Sequence, residues 1–239
     1  MSTGTAYGLL AAGLLAVGLL AVGLSAVVFC AAAAPVVQPN PTSPWKSLFD
    51  GKKLGQWKVT EDFDFRRHGK VEVVDGTLVL GKGRPGTAVR YTGKLPTIDY
   101  ELALEAMRVE GEDFFCGLTF PIGKSPCTLI VGGWGGPVVG LSNVDGEPAV
   151  ENETTVYREF KKGRWYTIRL RVTKAKVEAW IDKEKIIDLP TKDRKFTIWF
   201  EQESVLPMGI ATWETTGALR NIRVQTIGRR PVPKPEQRK

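Results

Sequence analysis

The sequence predicts an all-β domain, an antiparallel jelly-roll sandwich of two sheets, over residues 45–227. Three observations support this fold: apolar and polar residues alternate along most segments, turn-forming pairs separate the segments, and no stretch of the domain has a helical period of any length. Short antiparallel strands over about 180 residues favour a sandwich over a barrel. Sandwiches of this kind often have one curved, polar, concave face, where a ligand is expected to lie.

The chain begins with an apolar leader, residues 1–34, which predicts export of the domain. The first 37 residues contain no charged side chain, and the apolar run at residues 8–29 is long enough to span a bilayer. Ala31 and Ala33 form a candidate small-x-small cleavage site. The leader is either a cleaved signal peptide or a membrane anchor, and both alternatives place the domain outside the cytoplasm. A Pro-rich linker, residues 35–44, follows the leader.

The basic charge of the chain is concentrated at its C-terminal end. The whole chain has 33 basic and 26 acidic side chains, a net charge of +7. The tail at residues 228–239 holds five basic side chains and one acidic, which leaves 28 basic and 25 acidic over residues 1–227. A nearly neutral folded body argues against a nucleic acid partner. The tail is expected to be disordered, with attraction to an anionic surface or polymer as the alternative.

The first half of the domain predicts strands joined by tight turns. The segment KVEVVDGTLVLG is a hairpin, because the pair Asp75-Gly76 tolerates the positive φ that a two-residue turn requires. The segment TIDYELALEAM alternates strictly, as expected of a half-buried strand. Cys116 and Cys127 lie on the two strands that follow, which are joined by PIGKSP. They form either a cross-hairpin disulfide or two buried free thiols, and the register decides between these alternatives.

The clearest unit is the hairpin RWYTIRLRVTKAKVEAWID, with its turn at residues 173–176. One register satisfies both faces of this hairpin, which supports it strongly. The apolar face pairs Ile168 with Ile181, Leu170 with Ala179, and Val172 with Val177. On the other face, Arg171 lies opposite Glu178 and Arg169 lies opposite Trp180, which predicts an ion pair and an Arg–Trp stack.

The segment KFTIWFEQE predicts another strand, and ALRNIRVQT predicts the last one. In KFTIWFEQE, the inward residues are expected to be Phe196, Ile198 and Phe200. Glu201 and Glu203 would share the outer face about 7 Å apart, with Trp199 beside them. Paired carboxylates next to an aromatic ring are typical of sugar hydrolysis, so these two are the candidate catalytic residues. The alternative is a solvated sheet face whose carboxylates pair with Arg169 and Arg171.

The stretch LIVGGWGGPVVG contains the candidate sugar platform. Trp134 offers an apolar ring to the C–H face of a sugar, and Gly133 and Gly135 would keep the groove beside it clear. The alternative is a wide hairpin whose Trp caps the core. Glu153 and Arg158 follow in a loop that either binds a ligand or is an ordinary surface loop.

Arg169 and Trp199 complete the candidate substrate-binding residues. Asp113 is either an acid at the rim of the site or a turn residue. The sequence contains no His and Cys set at metal-ligand spacing, no phosphate loop and no nucleophile elbow. It therefore predicts no metal site and leaves the cofactor unknown.

Three blocks of the chain resemble the 3-keto-disaccharide hydrolase domain family. In the opening block WKSLFDGKKLGQWKV, the residues that match the opening motif of the family are Leu48, Phe49, Asp50, Gly51, Lys52, Leu54 and Trp57. The hairpin block carries Gly163, Trp165 and Trp180, and the closing block PMGIATWETTGALRNIRV carries Gly209 and Arg220-Asn221-Ile222. The resemblance implies a sandwich of the concanavalin A-like lectin/glucanase type, in which the first and last strands lie together.

The resemblance also implies cleavage of glycosides oxidised to a ketone at C3, by hydrolysis or by elimination and hydration. Family members often carry a His after the closing Gly and another beside the hairpin Trp, where this chain has Trp213 and Ala179; its only His is His68. The base would then be Glu201 or Glu203, with His68 third, and Arg158 or Arg169 would hold the enolate oxygen. The alternative function is a non-catalytic glycan-binding or interaction module on the same fold.

The leader predicts where the protein is found in cells that express it. The domain should be recovered outside the cytoplasm, either processed after Ala33 or retained in the membrane fraction, because a charge-free apolar run of this length directs export. Cell fractionation with mass spectrometry of the N-terminus measures both properties. Recovery of a full-length, freely soluble cytosolic product with its leader intact would contradict the expectation.

Overall fold

The structure is a computed structural model that describes residues 43–228, and it confirms the two-sheet sandwich. Its strands are numbered β1 to β15 in chain order. The eight-stranded sheet contains β1 (Lys46–Ser47), β3 (Val71–Val74), β4 (Thr77–Leu80), β6 (Tyr100–Glu110), β11 (Trp165–Val172), β12 (Lys176–Ile181), β13 (Glu184–Pro190) and β15 (Thr216–Thr226). The seven-stranded sheet contains β2 (Trp57–Val59), β5 (Gly86–Tyr91), β7 (Cys116–Ile122), β8 (Ser125–Gly133), β9 (Val138–Ser142), β10 (Val156–Tyr157) and β14 (Gly209–Trp213).

The order of the strands puts the last two in the middle of the sheets. The eight-stranded sheet runs β13-β12-β11-β6-β15-β4-β3, with β1 paired to β15, and the other runs β10-β9-β8-β7-β14-β5-β2. All of the pairings are antiparallel, and Lys46 lies opposite Val224. The first and last strands therefore lie together, as the family resemblance implies.

Alternating side chains from both sheets build the core between them. In the hairpin of β11 and β12 the predicted register is confirmed, with Leu170 opposite Ala179 and Arg169 opposite Trp180. The turn at Asp75-Gly76 is also confirmed, since both residues have positive φ and join β3 to β4. Within the described part of the chain, the core includes the fully buried Trp57, Tyr91, Tyr100, Phe115, Phe120 and Tyr166.

The described residues contain only short helices, two 3-10 helices at Phe63–Phe65 and Phe200–Val205. Neither these nor any other helix between residues 43 and 228 is long and apolar enough to cross a membrane. The predicted leader at residues 1–34, the linker up to residue 42 and the tail from residue 229 lie outside the described residues.

The predicted strand in KFTIWFEQE is wrong. Phe196 makes only an isolated bridge to Val144, and from Phe200 the chain enters the second 3-10 helix. The buried residues of this helix are Gln202 and Val205, three positions apart, which is the period of a 3-10 helix and not of a strand. As a result, Phe200 is 58% exposed and does not point inward. Glu201 and Glu203 do not share a sheet face.

The polar face of the β11–β12 hairpin is held together by buried carboxylates. The guanidinium of Arg169 stacks on Trp180 at 3.7 Å, which confirms the predicted stack. Glu101 accepts hydrogen bonds from Arg169 at 3.1 Å and from Arg171 at 2.6 Å. Arg171 also lies 3.9 Å from Glu178, which confirms the predicted ion pair. Both arginines therefore pair with carboxylates of their own sheet.

The register excludes the disulfide alternative for Cys116 and Cys127. Cys116 lies opposite Val131 and Cys127 lies opposite Phe120, so the two thiols are not cross-strand neighbours. Both are free and buried, and burial raises the pKa of each thiol to about 12. The second alternative, two buried free thiols, is the one that the structure contains.

Both thiols should resist alkylation in the folded protein. At pH 8 neither Cys116 nor Cys127 should react with iodoacetamide, because each is inaccessible and protonated, whereas both should react once the protein is unfolded. Mass spectrometry of the labelled peptides measures each site separately. Failure of both to react after unfolding without reductant would instead indicate a disulfide.

Candidate functional site

A cleft of about 310 Å³ lies on the outer face of the seven-stranded sheet. Its floor includes Thr128 and Ile130 of β8, whose neighbours Cys127, Leu129 and Val131 point the other way into the core. The cleft is lined by Asp113, Phe114, Thr128, Ile130, Trp134, Trp199, Glu201, Gln202 and Trp213. A sheet face, a loop and a 3-10 helix therefore meet around one space.

The walls of the cleft are aromatic. Trp134 and Trp199 are 42% and 46% exposed, so both rings are available to a ligand. Phe114 and Trp213 stack on each other with ring centroids 6.1 Å apart and planes inclined at 29°. The indole nitrogen of Trp199 donates a hydrogen bond to the Ser142 hydroxyl at 3.1 Å, which fixes that ring. Ring faces arranged around a groove suit the C–H faces of sugars.

The glycines around Trp134 are required by the backbone of its loop. Gly132, Gly135 and Gly136 have φ of +82°, +78° and +121°, and Trp134 itself has φ of +49°. Only glycine adopts such values at little cost. Gly133 has an ordinary φ, but a Cβ there would lie 2.7 Å from Ile130 on the cleft floor. The loop therefore turns sharply and rests on the floor while it carries Trp134 into solvent.

Two side chains from outside the loop hold it in place. The buried guanidinium of Arg108 donates hydrogen bonds to the carbonyls of Gly132 and Gly136, each at 3.0 Å. A Cβ on Gly132 would lie 2.5 Å from this guanidinium, which is a second reason for glycine there. Asp113 accepts a hydrogen bond from the Gly135 amide at 3.1 Å, so it supports the loop as well as lining the cleft.

Glu201 is a carboxylate of the cleft lining with one oxygen that accepts no hydrogen bond. Its Oε2 atom is buried and has no hydrogen-bond partner among the described residues. The neighbouring Gln202 is buried, and its Oε1 accepts a hydrogen bond from Thr119 at 3.4 Å. Glu203, two residues further along the 3-10 helix, is exposed and does not line the cleft. Of the two candidate carboxylates, the structure therefore places Glu201 in the cleft and Glu203 outside it.

Four other candidates are placed away from the cleft. Arg158 binds Glu184 at 2.8 Å and Asp182 at 3.4 Å, and Glu153 forms an ion pair with Arg194. Arg169 lies on the eight-stranded sheet, in its stack on Trp180. His68 has its Nε2 atom 3.7 Å from Glu61 and is not part of the cleft lining. Neither arginine is therefore positioned to hold an enolate oxygen in the cleft.

Sequence reasoning missed Phe114, Thr128, Ile130 and Gln202 and did not propose Trp213 for the site. A signal existed for Trp213, because it stands near the place where relatives carry a His, and that place faces the cleft. The second such place, Ala179, is buried in the core. The described residues contain no group of three or more His, Cys, Asp or Glu side chains that could hold a metal ion.

The family described as the 3-keto-alpha-glucoside-1,2-lyase-like domain matches residues 44–225. No curated protein matches the chain in sequence. A Bacillus subtilis protein of unknown function with a galectin-like fold is 11% identical, with a TM-score of 0.58 over 81% of this chain and 99% of that one. A Crh5 transglycosylase in complex with NAG is 13% identical, with a TM-score of 0.50 over 81% of this chain and 87% of that one. At these identities the likeness to solved structures shows the fold alone.

Replacement of Trp134 should leave stability nearly unchanged. Trp134→Ala is expected to lower the free energy of unfolding by less than about 1 kcal/mol, because the ring is half exposed and the loop is held by Arg108 and Asp113. Trp57→Ala is the matched control and should cost about 3–5 kcal/mol, since Trp57 is 1% exposed. Urea denaturation measures both, and equal costs would show that the Trp134 ring is structural.

Proposed function

Because the chain belongs to the 3-keto-alpha-glucoside-1,2-lyase-like domain family, we propose that its cleft binds a glycoside oxidised to a ketone at C3 and that Glu201 is the base that starts its cleavage. The family places the chain among carbohydrate-active domains. The single observation that carries the residue assignment is the buried Glu201 oxygen without a partner, in a cleft walled by aromatic rings.

The aromatic walls account for binding of the sugar. A pyranose has apolar C–H faces and polar edges, so one ring face would rest on Trp134 or Trp199 while the hydroxyl groups reach the polar lining. The stacked rings of Phe114 and Trp213 add further apolar surface to the cleft lining. The volume of about 310 Å³ is at the lower end of the usual range for ligand pockets and suits one or two sugar units.

The C3 ketone allows a single carboxylate to start the cleavage of the C1 bond. A C3 ketone acidifies the C2–H bond, so Glu201 can take the C2 proton while the electron pair moves to the ketone oxygen as an enolate. Collapse of the enolate forms the C1–C2 double bond and expels the C1 substituent, which takes a proton from the protonated Glu201. Water then adds across the double bond, and the sum of the two steps is hydrolysis.

A neutral hydrogen-bond donor is available for the enolate oxygen. Gln202 lies beside Glu201 in the cleft lining, and its amide nitrogen makes no hydrogen bond within residues 43–228. The Thr128 hydroxyl is already bonded to the Thr119 hydroxyl at 2.8 Å. Donors held in a partly enclosed site stabilise developing negative charge without needing to reorganise. In this proposal the Gln202 amide holds the enolate oxygen. Arg158 and Arg169, the candidates from the sequence, form ion pairs away from the cleft.

A non-catalytic glycan-binding module is the second candidate function. The observation that favours it is the absence of His from the cleft, since the one His of the chain is His68. A carboxylate between aromatic rings also hydrogen-bonds sugar hydroxyls without any chemistry. The two functions share the binding site and differ only in whether a bound 3-keto-glycoside is consumed.

Replacement of Glu201 should abolish turnover of a 3-keto-α-glucoside. Glu201→Gln is expected to lower kcat at least about 100-fold, because the amide cannot accept the C2 proton, and to leave binding measured by calorimetry nearly unchanged. Glu203→Gln is the matched control, with the same chemical change two residues away, and it should retain wild-type turnover.

The outcomes separate the candidates. Equal rates in wild type and Glu201→Gln would remove this carboxylate from the mechanism. Binding of the 3-keto-glucoside by wild type without turnover would support the glycan-binding module instead. Loss of turnover in both variants would point to a general effect of the removed negative charge rather than to one base.

A further inference from the structure

A second pocket, of about 510 Å³, lies at the end of β14. Its lining is Arg67, Lys82, Gly83, Arg84, Pro85 and Glu214, and it is called the basic pocket below. Trp213 lines the cleft and the next residue, Glu214, lines the basic pocket. Two consecutive residues at the end of β14 thus line the cleft and the basic pocket.

The cations of the basic pocket lack acidic partners. Arg67, Lys82 and Arg84 form no ion pair with any described residue, and all three line the same pocket. Three cations against the single carboxylate of Glu214 give the lining a formal charge of +2. An anion in this pocket would be attracted by all three charges, most strongly at low ionic strength.

Backbone hydrogen bonds hold together the segments that carry these cations. The amide of Arg84 donates to the carbonyl of Arg67 at 2.9 Å, and the amide of Lys82 donates to the Thr216 hydroxyl at 3.0 Å. The amide of Glu214 donates to the carbonyl of Pro85 at 2.7 Å. Gly83 is buried, and a Cβ there would collide with the backbone of Gly86, so the turn allows only glycine. The backbone frame of the basic pocket is therefore set by the protein, and the exposed side chains of Arg67, Lys82 and Arg84 adjust to a ligand on it.

We propose that the basic pocket binds the carboxylate of a uronic acid unit whose neighbouring sugar lies in the cleft. Arg67 and Arg84 can each offer paired N–H donors to a carboxylate, and Lys82 adds a third charge. The inference rests on the proposed function for the identity of the ligand as a saccharide. It narrows the substrate class to glycosides that carry an acidic unit next to the keto sugar.

The test compares two α-linked disaccharides that differ only in their second unit, glucosyl or glucuronyl. Wild-type protein should bind the glucuronyl compound about 10-fold more tightly in calorimetry at low ionic strength, and high salt should reduce this preference. The variant R67Q/K82Q/R84Q should lose the preference and keep its affinity for the glucosyl compound. The matched control K124Q/K174Q/K192Q removes the same charge from exposed turns and should keep the preference.

Each result decides the inference separately from the proposed function. The proposal that the basic pocket binds a carboxylate is overturned if wild type has equal affinity for both compounds. It is also overturned if the two triple variants lose the preference equally. Binding of the glucuronyl compound that depends on Arg67, Lys82 and Arg84, without turnover of any 3-keto-glucoside, supports the basic pocket and removes the catalytic function. Binding of neither compound overturns the proposal for the basic pocket, whereas the proposed function is decided by turnover of the 3-keto-α-glucoside.

Discussion

The buried guanidinium of Arg108 connects the two sheets at the point where the cleft begins. It extends from β6 of the eight-stranded sheet and donates hydrogen bonds to carbonyls of Gly132, Gly136 and Phe160. No carboxylate pairs with it among residues 43–228; the aromatic rings of Phe115 and Phe160 lie 5.2 and 5.9 Å from its centre. Burial lowers the pKa of this group. Because a buried cation needs acceptors, the loop must turn its carbonyls inward, and this turns Trp134 outward.

The two outer faces of the sandwich differ in whether their buried polar groups have hydrogen-bond partners. On the eight-stranded sheet, Glu101, Glu105 and Glu178 each accept hydrogen bonds from cationic side chains. Hydrogen bonds from Arg220 and Asn221 hold the pKa of Glu105 below its usual value against the opposing effect of burial. These carboxylates therefore have partners within their own sheet. By contrast, Oε2 of Glu201 and Oγ of Ser204, in the 3-10 helix beside the seven-stranded sheet, are buried without a partner among the described residues, and a ligand could bond to them.

Strand pairings could be predicted from the sequence where the residues on both faces of a hairpin favour the same register. The residues that line the cleft could not be predicted in this way. The β11–β12 register was predictable because a slip of one residue would bury Arg169 and expose Leu170. The segment at 196–203 was not, since a short run of alternating aromatics fits a strand until the buried Gln202 and Val205 reveal a period of three. The cleft draws on four separate segments of the chain, and no local pattern indicates that they meet. Ion pairs such as that of Arg158 with Glu184 depend equally on tertiary placement.

The position of the final two strands sets the order in which the domain can be completed during translation. β15 lies between β6 and β4, and β14 lies between β7 and β5, so neither sheet is continuous before these strands are added. A nascent chain that ends before Gly209 has four unpaired strand edges flanking two gaps. Exposed edges of this kind recruit other strands, and non-local pairing is slow. The domain is therefore most exposed to misassembly on the ribosome, until its last residues emerge.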